Sequence, residues 1–202
     1  ICSLATFGGA VATAESTLPT TLQNGNFENG TTGWSITPNT NGNPGTLTAV
    51  NAAQDASHTI RLVDGYAGYY TTGHTSTWLY QGVRLQPGKY TWEYTSDLIG
   101  TYYFMGAYTS IENIGKAAGL IEADTFSAVR HDGTVSTGYK LNTNYYQLYL
   151  GAGKGSYTFT WDFTIENATD VYFAVKANQG GIQYNDNMTL TGEVDTNLNT
   201  EL

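Results

Sequence analysis

Along most of this chain apolar and polar residues alternate over short runs. Tyr90, Trp92 and Tyr94 fall on one side of a pleated strand and Thr91, Glu93 and Thr95 on the other. Comparable runs predict strands at 34–37, 46–50, 58–63, 78–85, 90–95, 101–110, 156–165, 170–177 and 181–192. Turn clusters separate them, among them NTNGNPG at 39–45, Gln86-Pro87-Gly88-Lys89 and Asn178-Gln179-Gly180-Gly181. About nine or ten short strands at this spacing predict an all-β protein, a two-sheet antiparallel sandwich.

One region breaks the rhythm. Ile111, Ile114, Ala118 and Ile121 recur at helical spacing, although Gly115 and Gly119 weaken a helix there. Residues 111–154 therefore read as a long, partly helical insertion, or a loop crossing one sheet. Residues 65–76 (GYAGYYTTGHTS) read as a Gly/Tyr/Thr loop. The sandwich spans 22–192, and 193–202 form a polar tail or linker.

The first 21 residues stand apart. Ile1 to Ala14 is apolar and ends in Ala12-Thr13-Ala14, like a small-x-small cleavage site, though no charged segment precedes it. It reads either as a signal remnant or as an apolar arm that adds a strand to a neighbour's sheet. Residues 15–21 are a polar leader.

Composition narrows the partners. Hydrophobic residues make up 40%, enough for a core, while charged residues make up only 12%, about half the usual share. With a net charge of −9 and 8 Lys and Arg, there is no basic footprint for nucleic acid or an anionic membrane. A Tyr-rich, weakly charged chain suits a neutral polysaccharide, or calcium. The single cysteine, Cys2, excludes an intrachain disulfide.

The stretch Asn24-Gly25-Asn26-Phe27-Glu28 with Gly33-Trp34 opens the domain. Leu85 to Trp92, Ser156 to Thr164 and Gln183 to Leu190 follow it. In this order they resemble the jelly-roll carbohydrate-binding modules with a galactose-binding-like fold (families four, nine and twenty-two), over roughly residues 22–192. The resemblance implies a non-catalytic, secreted or cell-surface module whose partner is a polysaccharide or glycan. It also implies a structural calcium between opening and closing strands, with Glu28 and Asp186 as carboxylate ligands and carbonyls near Gly30 and Gly33. Such an ion takes six to eight oxygens. Asn187 stands where the family often has a second acid.

Sugar binding needs flat aromatic faces flanked by orienting polar groups. Trp34, Trp92 and Trp161 lie in the fold-defining motifs and are expected in the core. Trp78, Tyr80, Tyr69, Tyr70, Tyr145 and Tyr146 are the candidate sugar platforms, with Arg84, Glu93, Gln147 and Asn178 as polar support. Catalysis finds little footing. His58, His74 and His131 fall in unrelated segments, and no motif pairs Glu93, Asp97, Glu112 or Asp162 across a cleft. The alternative function is structural: a subunit of a surface filament or adhesin that self-associates through residues 1–14, with calcium at the interface.

Overall fold

The computed structural model describes residues 15–37, 46–50, 66–70, 78–99, 102–137, 139–149, 154–177 and 182–195. The apolar arm at 1–14, the strand expected at 58–63 and Asn178 lie outside them.

The described strands are β1 (Ser35–Ile36), β2 (Thr46–Val50), β3 (Tyr66–Tyr70), β4 (Leu79–Leu85), β5 (Gly88–Ile99), β6 (Tyr102–Tyr108), β7 (Leu120–Ile121), β8 (Thr125–Arg130), β9 (Tyr139–Asn142), β10 (Tyr145–Tyr149), β11 (Lys154–Ile165), β12 (Thr169–Ala177) and β13 (Ile182–Val194). They form two antiparallel sheets. The first runs β1-β4-β12-β6-β10-β9, with β7 pairing to the other end of β6; the second runs β2-β3-β13-β5-β11-β8. Strands adjacent in sequence repeatedly sit in opposite sheets, as in a jelly roll, which is the sandwich the alternation predicts.

The core lies between the sheets. Trp92 stacks on Tyr94 at 4.9 Å between ring centroids, tilts against Phe173 of the opposite sheet at 4.9 Å, and meets Trp161 at 5.9 Å. Trp34, Trp92 and Trp161 are all buried, as expected. On the second sheet the outward positions are polar. Asp162 accepts hydrogen bonds from the hydroxyls of Thr91 and Thr125, tying β5, β11 and β8 together on the solvent side.

The long helical insertion is not present. Residues 111–154 hold two single 3-10 turns, Ile111–Asn113 and Ala117–Gly119, and then strands β7 to β10, which belong to the two sheets. Gly115 has φ +79, outside helical space, so the chain reverses where the periodicity would have carried a helix forward. The Tyr-rich stretches at 66–70 and 145–149 are strands rather than loops. The leader is tied to the sandwich edge: Arg84 N–H of β4 donates to the Pro19 carbonyl at 2.7 Å.

The opening loop, 22–34, joins the edges of both sheets. Gln81 of β4 accepts from Gln23 N–H at 2.6 Å and returns its amide to the Gln23 carbonyl at 2.9 Å. On the other side Met188 N–H of β13 donates to the Gly25 carbonyl at 2.9 Å. A Cβ on Gly25 would stand 1.8 Å from the Met188 carbonyl oxygen, so no larger residue fits while that bond holds. Gly25→Ala is therefore expected to cost about 2 kcal/mol by overpacking. For a chain of this length that is a fall of roughly 4–8 °C in the Tm of thermal unfolding. An unchanged Tm would show that the loop and β13 separate freely.

Candidate functional site

The outward face of the first sheet is aromatic. On β6, Tyr103, Met105 and Ala107 enter the core, so Tyr102 and Phe104 point away from it. Their rings are 5.8 Å apart and nearly parallel, at 13°. On β10, Tyr146 and Leu148 enter the core, leaving Tyr145 and Tyr149 outward. Tyr149 pairs with Tyr102 across the strands at 5.1 Å, and Tyr145 meets Phe104 edge-on at 4.9 Å. Tyr80 of β4 and Tyr172 of β12 form a further pair at 6.2 Å.

This face is covered at one end and open at the other. Residues 110–119 fold back over it, and Ile114 packs on Trp78, Tyr108 and Ala174 as a second apolar cluster outside the main core. Asn144 holds the fold-back in place. Its carbonyl accepts from the Tyr108 hydroxyl at 2.9 Å and its side-chain oxygen from Ala117 N–H at 3.2 Å. Burial pushes the Tyr108 hydroxyl well above its ordinary pKa, so it stays a neutral donor. Beyond the fold-back, Tyr102, Phe104 and Tyr145 are half-buried and Tyr149 is 54% exposed.

The polar groups of the face lie in a transverse row. Lys140 of β9 pairs with Gln147 of β10, Gln147 with Phe104, and Phe104 with Lys176 of β12. The Lys176 ammonium lies 5.6 Å from the Trp78 ring centroid and 5.7 Å from that of Phe104. Such contacts attract a cation to the ring quadrupole. At the far end of β12, Arg84 pairs with Asp170 at 3.1 Å.

The expected sugar platforms divide accordingly. Tyr80 and Tyr145 are half-buried on this face. Trp78 lies on it but beneath Ile114 and Gly115, only 5% exposed. Tyr146 faces the other way, 4.3 Å from Trp161 in the main core, and its hydroxyl accepts from Ala123 N–H. Trp78 and Tyr146 are thus core residues rather than exposed platforms. Tyr69 and Tyr70 belong to β3 of the other sheet, and their side chains lie outside the description. Glu93 is also on the other sheet, where it accepts from Thr160. Phe104, Tyr172 and Lys176 escaped the sequence reading, whereas Tyr149 lies in the Tyr-rich stretch at 145–149 that it singled out. The alternation of β6 could have flagged Phe104, had its two faces differed in polarity.

The expected calcium ligands are only partly assembled. Asp186 is 6% exposed and sits where β13 bulges between Asp186 and Thr189, its carboxylate accepting from Asn187 N–H at 2.7 Å. Glu28, by contrast, is exposed. The Gly30 carbonyl accepts from the Asn24 side-chain amide at 3.0 Å, and Gly33 packs against Gln81. Asn24 also accepts from Asn29 N–H through its side chain and from the Trp34 indole through its carbonyl. Asp186 offers a buried carboxylate oxygen of the kind calcium takes, while Glu28 is exposed and the Gly30 carbonyl is hydrogen-bonded to Asn24. Among the described residues no three His, Cys, Asp or Glu side chains converge as a metal site.

Comparison with protein-family models and with curated proteins finds no match. Solved structures do match in fold. The enzymatically active domain of tailspike protein 4 from bacteriophage CBA120 matches at 13% identity and TM-score 0.50, covering 85% of this chain and 21% of that one. This chain therefore spans about a fifth of that protein's length. The K3 cleaved adhesin domain of Lys-gingipain from Porphyromonas gingivalis matches at 14% and TM-score 0.47, covering 85% and 99%. The xylan-binding CBM22-1 domain of Xyn10C from Paenibacillus barcinonensis matches at 12% and TM-score 0.44, covering 90% and 100%. At such identities the likeness is one of fold.

Burial separates structural from surface rings in a measurable way. Trp78→Ala is expected to cost about 3–5 kcal/mol, the usual loss for a buried Trp, and to drop the Tm by well over 6 °C. Tyr149→Ala should stay within about 1 kcal/mol of the parent, as exposed substitutions do. Equal Tm losses in the two variants would overturn this division.

Proposed function

We propose that this chain is a non-catalytic carbohydrate-binding module that acts outside the cell, and that it meets its glycan on the outward face of the first sheet. The observation that carries this reading is the open aromatic row of Tyr102, Phe104, Tyr145 and Tyr149. Pyranose rings stack their C–H faces on such rings, and neighbouring amide, hydroxyl and ammonium groups fix their orientation. Here Gln147, Lys140 and the tyrosine hydroxyls would serve. The fold-back at 110–119 makes the row firm at one end, so little ordering of side chains opposes binding. The xylan-binding and adhesin domains of the same fold are consistent with this use. The tailspike domain is enzymatic on a similar fold, whereas the row of Tyr102, Phe104, Tyr145 and Tyr149 itself holds no carboxylate, of which glycoside hydrolysis uses two.

A glycan array, followed by calorimetry on the positive polysaccharide, tests the reading. Tyr102→Ala and Tyr149→Ala are each expected to weaken binding roughly tenfold, about 1.4 kcal/mol, without changing the Tm by more than about 4 °C. Parent-like affinity in both variants would remove the site from this face.

Calcium at the junction of the opening loop and β13 belongs to the same proposal. Its support is the buried carboxylate of Asp186 at the bulge; Glu28 would have to turn inward to join it. The expected result is that a chelator lowers the Tm of the parent and not that of Asp186→Asn. A parent indifferent to chelator would overturn the calcium and leave the loop to its hydrogen bonds and to the packing of Phe27 and Trp34.

A further inference from the structure

Lys176 stands out among the cations of this chain. It is half-buried, and it sits over two aromatic rings in the middle of the outward row. Among the described residues it has no carboxylate within ion-pair distance. Burial depresses its pKa, which marks the ammonium as poorly hydrated. Asp170, the carboxylate on its own strand, is six residues away, roughly 20 Å along an extended chain, and is already taken by Arg84. Lys140 lies three strands across in the same row, roughly 14 Å away at ~4.8 Å per strand.

Charge is also unevenly divided between the faces. The outward side of the second sheet presents Glu93, Asp162 and Glu193, with Asp124 beside it, around Lys89. The outward side of the first presents Lys140, Lys176 and the paired Arg84, with Lys116 on the fold-back and Glu112 near Tyr172. A chain of net charge −9 thus keeps a locally cationic aromatic face.

Resting on the carbohydrate reading above, we propose that the ligand of this face is an anionic polysaccharide. Its sugar rings lie on Phe104, Tyr102 and Tyr149, and its acid groups meet Lys176 and Lys140. An acid group would give Lys176 the counter-charge that its described neighbours do not supply, while the indole and phenyl faces hold the ammonium from below. A neutral glycan would offer hydroxyl acceptors but no counter-charge to a desolvated ammonium in the interface. Carboxylate and sulfate share this chemistry, and the experiment distinguishes them.

The test uses the full chain and three sets of polymers. One set is uronate polymers (polygalacturonate, alginate, glucuronoxylan), the second is the same polymers with carboxyl groups esterified, and the third is sulfated polysaccharides such as dextran sulfate. The expected result is binding to a uronate or sulfated polymer, at least tenfold tighter than to the neutral set and weakening steeply with added salt. Lys176→Met, which keeps the stem and its packing, should remove most of that preference at an unchanged Tm. Lys140→Gln, at an exposed position, should remove part of it. Preference for uronates alone would assign carboxylate, and preference for sulfated polymers alone would assign sulfate. Equal binding of charged and esterified polymers, unaltered in Lys176→Met, would overturn the anionic assignment and leave the carbohydrate reading standing. Binding to none of the three sets, and to no neutral glycan on an array, would overturn both.

Discussion

The packing of Trp92 across the sandwich is the constraint from which the rest follows. Its ring meets Tyr94 and Trp161 within its own sheet and Phe173 from the other. Rings of that size fix both the sheet spacing and the register, because a slip of one residue would turn every inward side chain outward. Once β5, β11 and β12 are locked this way, the alternate residues have nowhere to go but the outer faces. In the second sheet those residues include threonines and carboxylates that bond one another, as Thr91 and Thr125 do with Asp162 and Thr160 with Glu93. In the first they are Tyr80, Tyr102, Phe104, Tyr108, Tyr145 and Tyr172. That sheet is apolar on both faces and has only one partner sheet.

The molecule deals with the second apolar face in two ways. Over Trp78 and Tyr108 the chain covers itself, folding Ile114 and Gly115 down and fastening them through Asn144. A Cβ on Gly115 would lie 3.1 Å from the Trp78 indole nitrogen, and its φ is positive, so the close approach and the reversal both suit glycine there. Over Tyr102, Phe104 and Tyr149 no described segment closes the face. An exposed apolar patch bordered by polar residues is what recognition surfaces look like. The same fold-back that hides Trp78 stiffens the rings beside it.

The second sheet was the legible half of this fold. Tyr90, Trp92 and Tyr94 against Thr91, Glu93 and Thr95 declare their sides at once, and the burial of Trp34, Trp92 and Trp161 follows from the motifs in which they stand. The first sheet was not legible in that way. In Tyr102-Tyr103-Phe104-Met105 both parities are apolar, so alternation finds the strand but cannot choose its inner face. Hence Trp78 was expected outside and Phe104 was overlooked. Tyr145 and Tyr146 are adjacent and chemically alike, yet one faces solvent and the other Trp161. Helical spacing at 111–121 misled because apolar residues that cap an outer face can recur at any interval; the glycines decided the path. The opening loop shows another limit. No spacing in the sequence shows that the loop is held in part by Asn24, whose side chain bonds its own neighbours. Local bonds of this kind leave no periodic trace in sequence.

Net charge misleads in the same manner as net polarity, since both average over faces that behave differently. A value of −9 argues against nucleic acid because that partner needs a broad basic surface. It does not argue against a narrow anionic ligand, because a ligand senses the field within about a Debye length, near 8 Å at physiological salt. Within that distance of Lys176 lie the rings of Trp78 and Phe104, at 5.6 and 5.7 Å, and the acids of the opposite sheet are separated from it by the thickness of the sandwich, about 10 Å between sheets. The sheet arrangement that Trp92 enforces therefore also insulates the cationic face from the acidic one. Solubility can be set by the second sheet while recognition is set by the first.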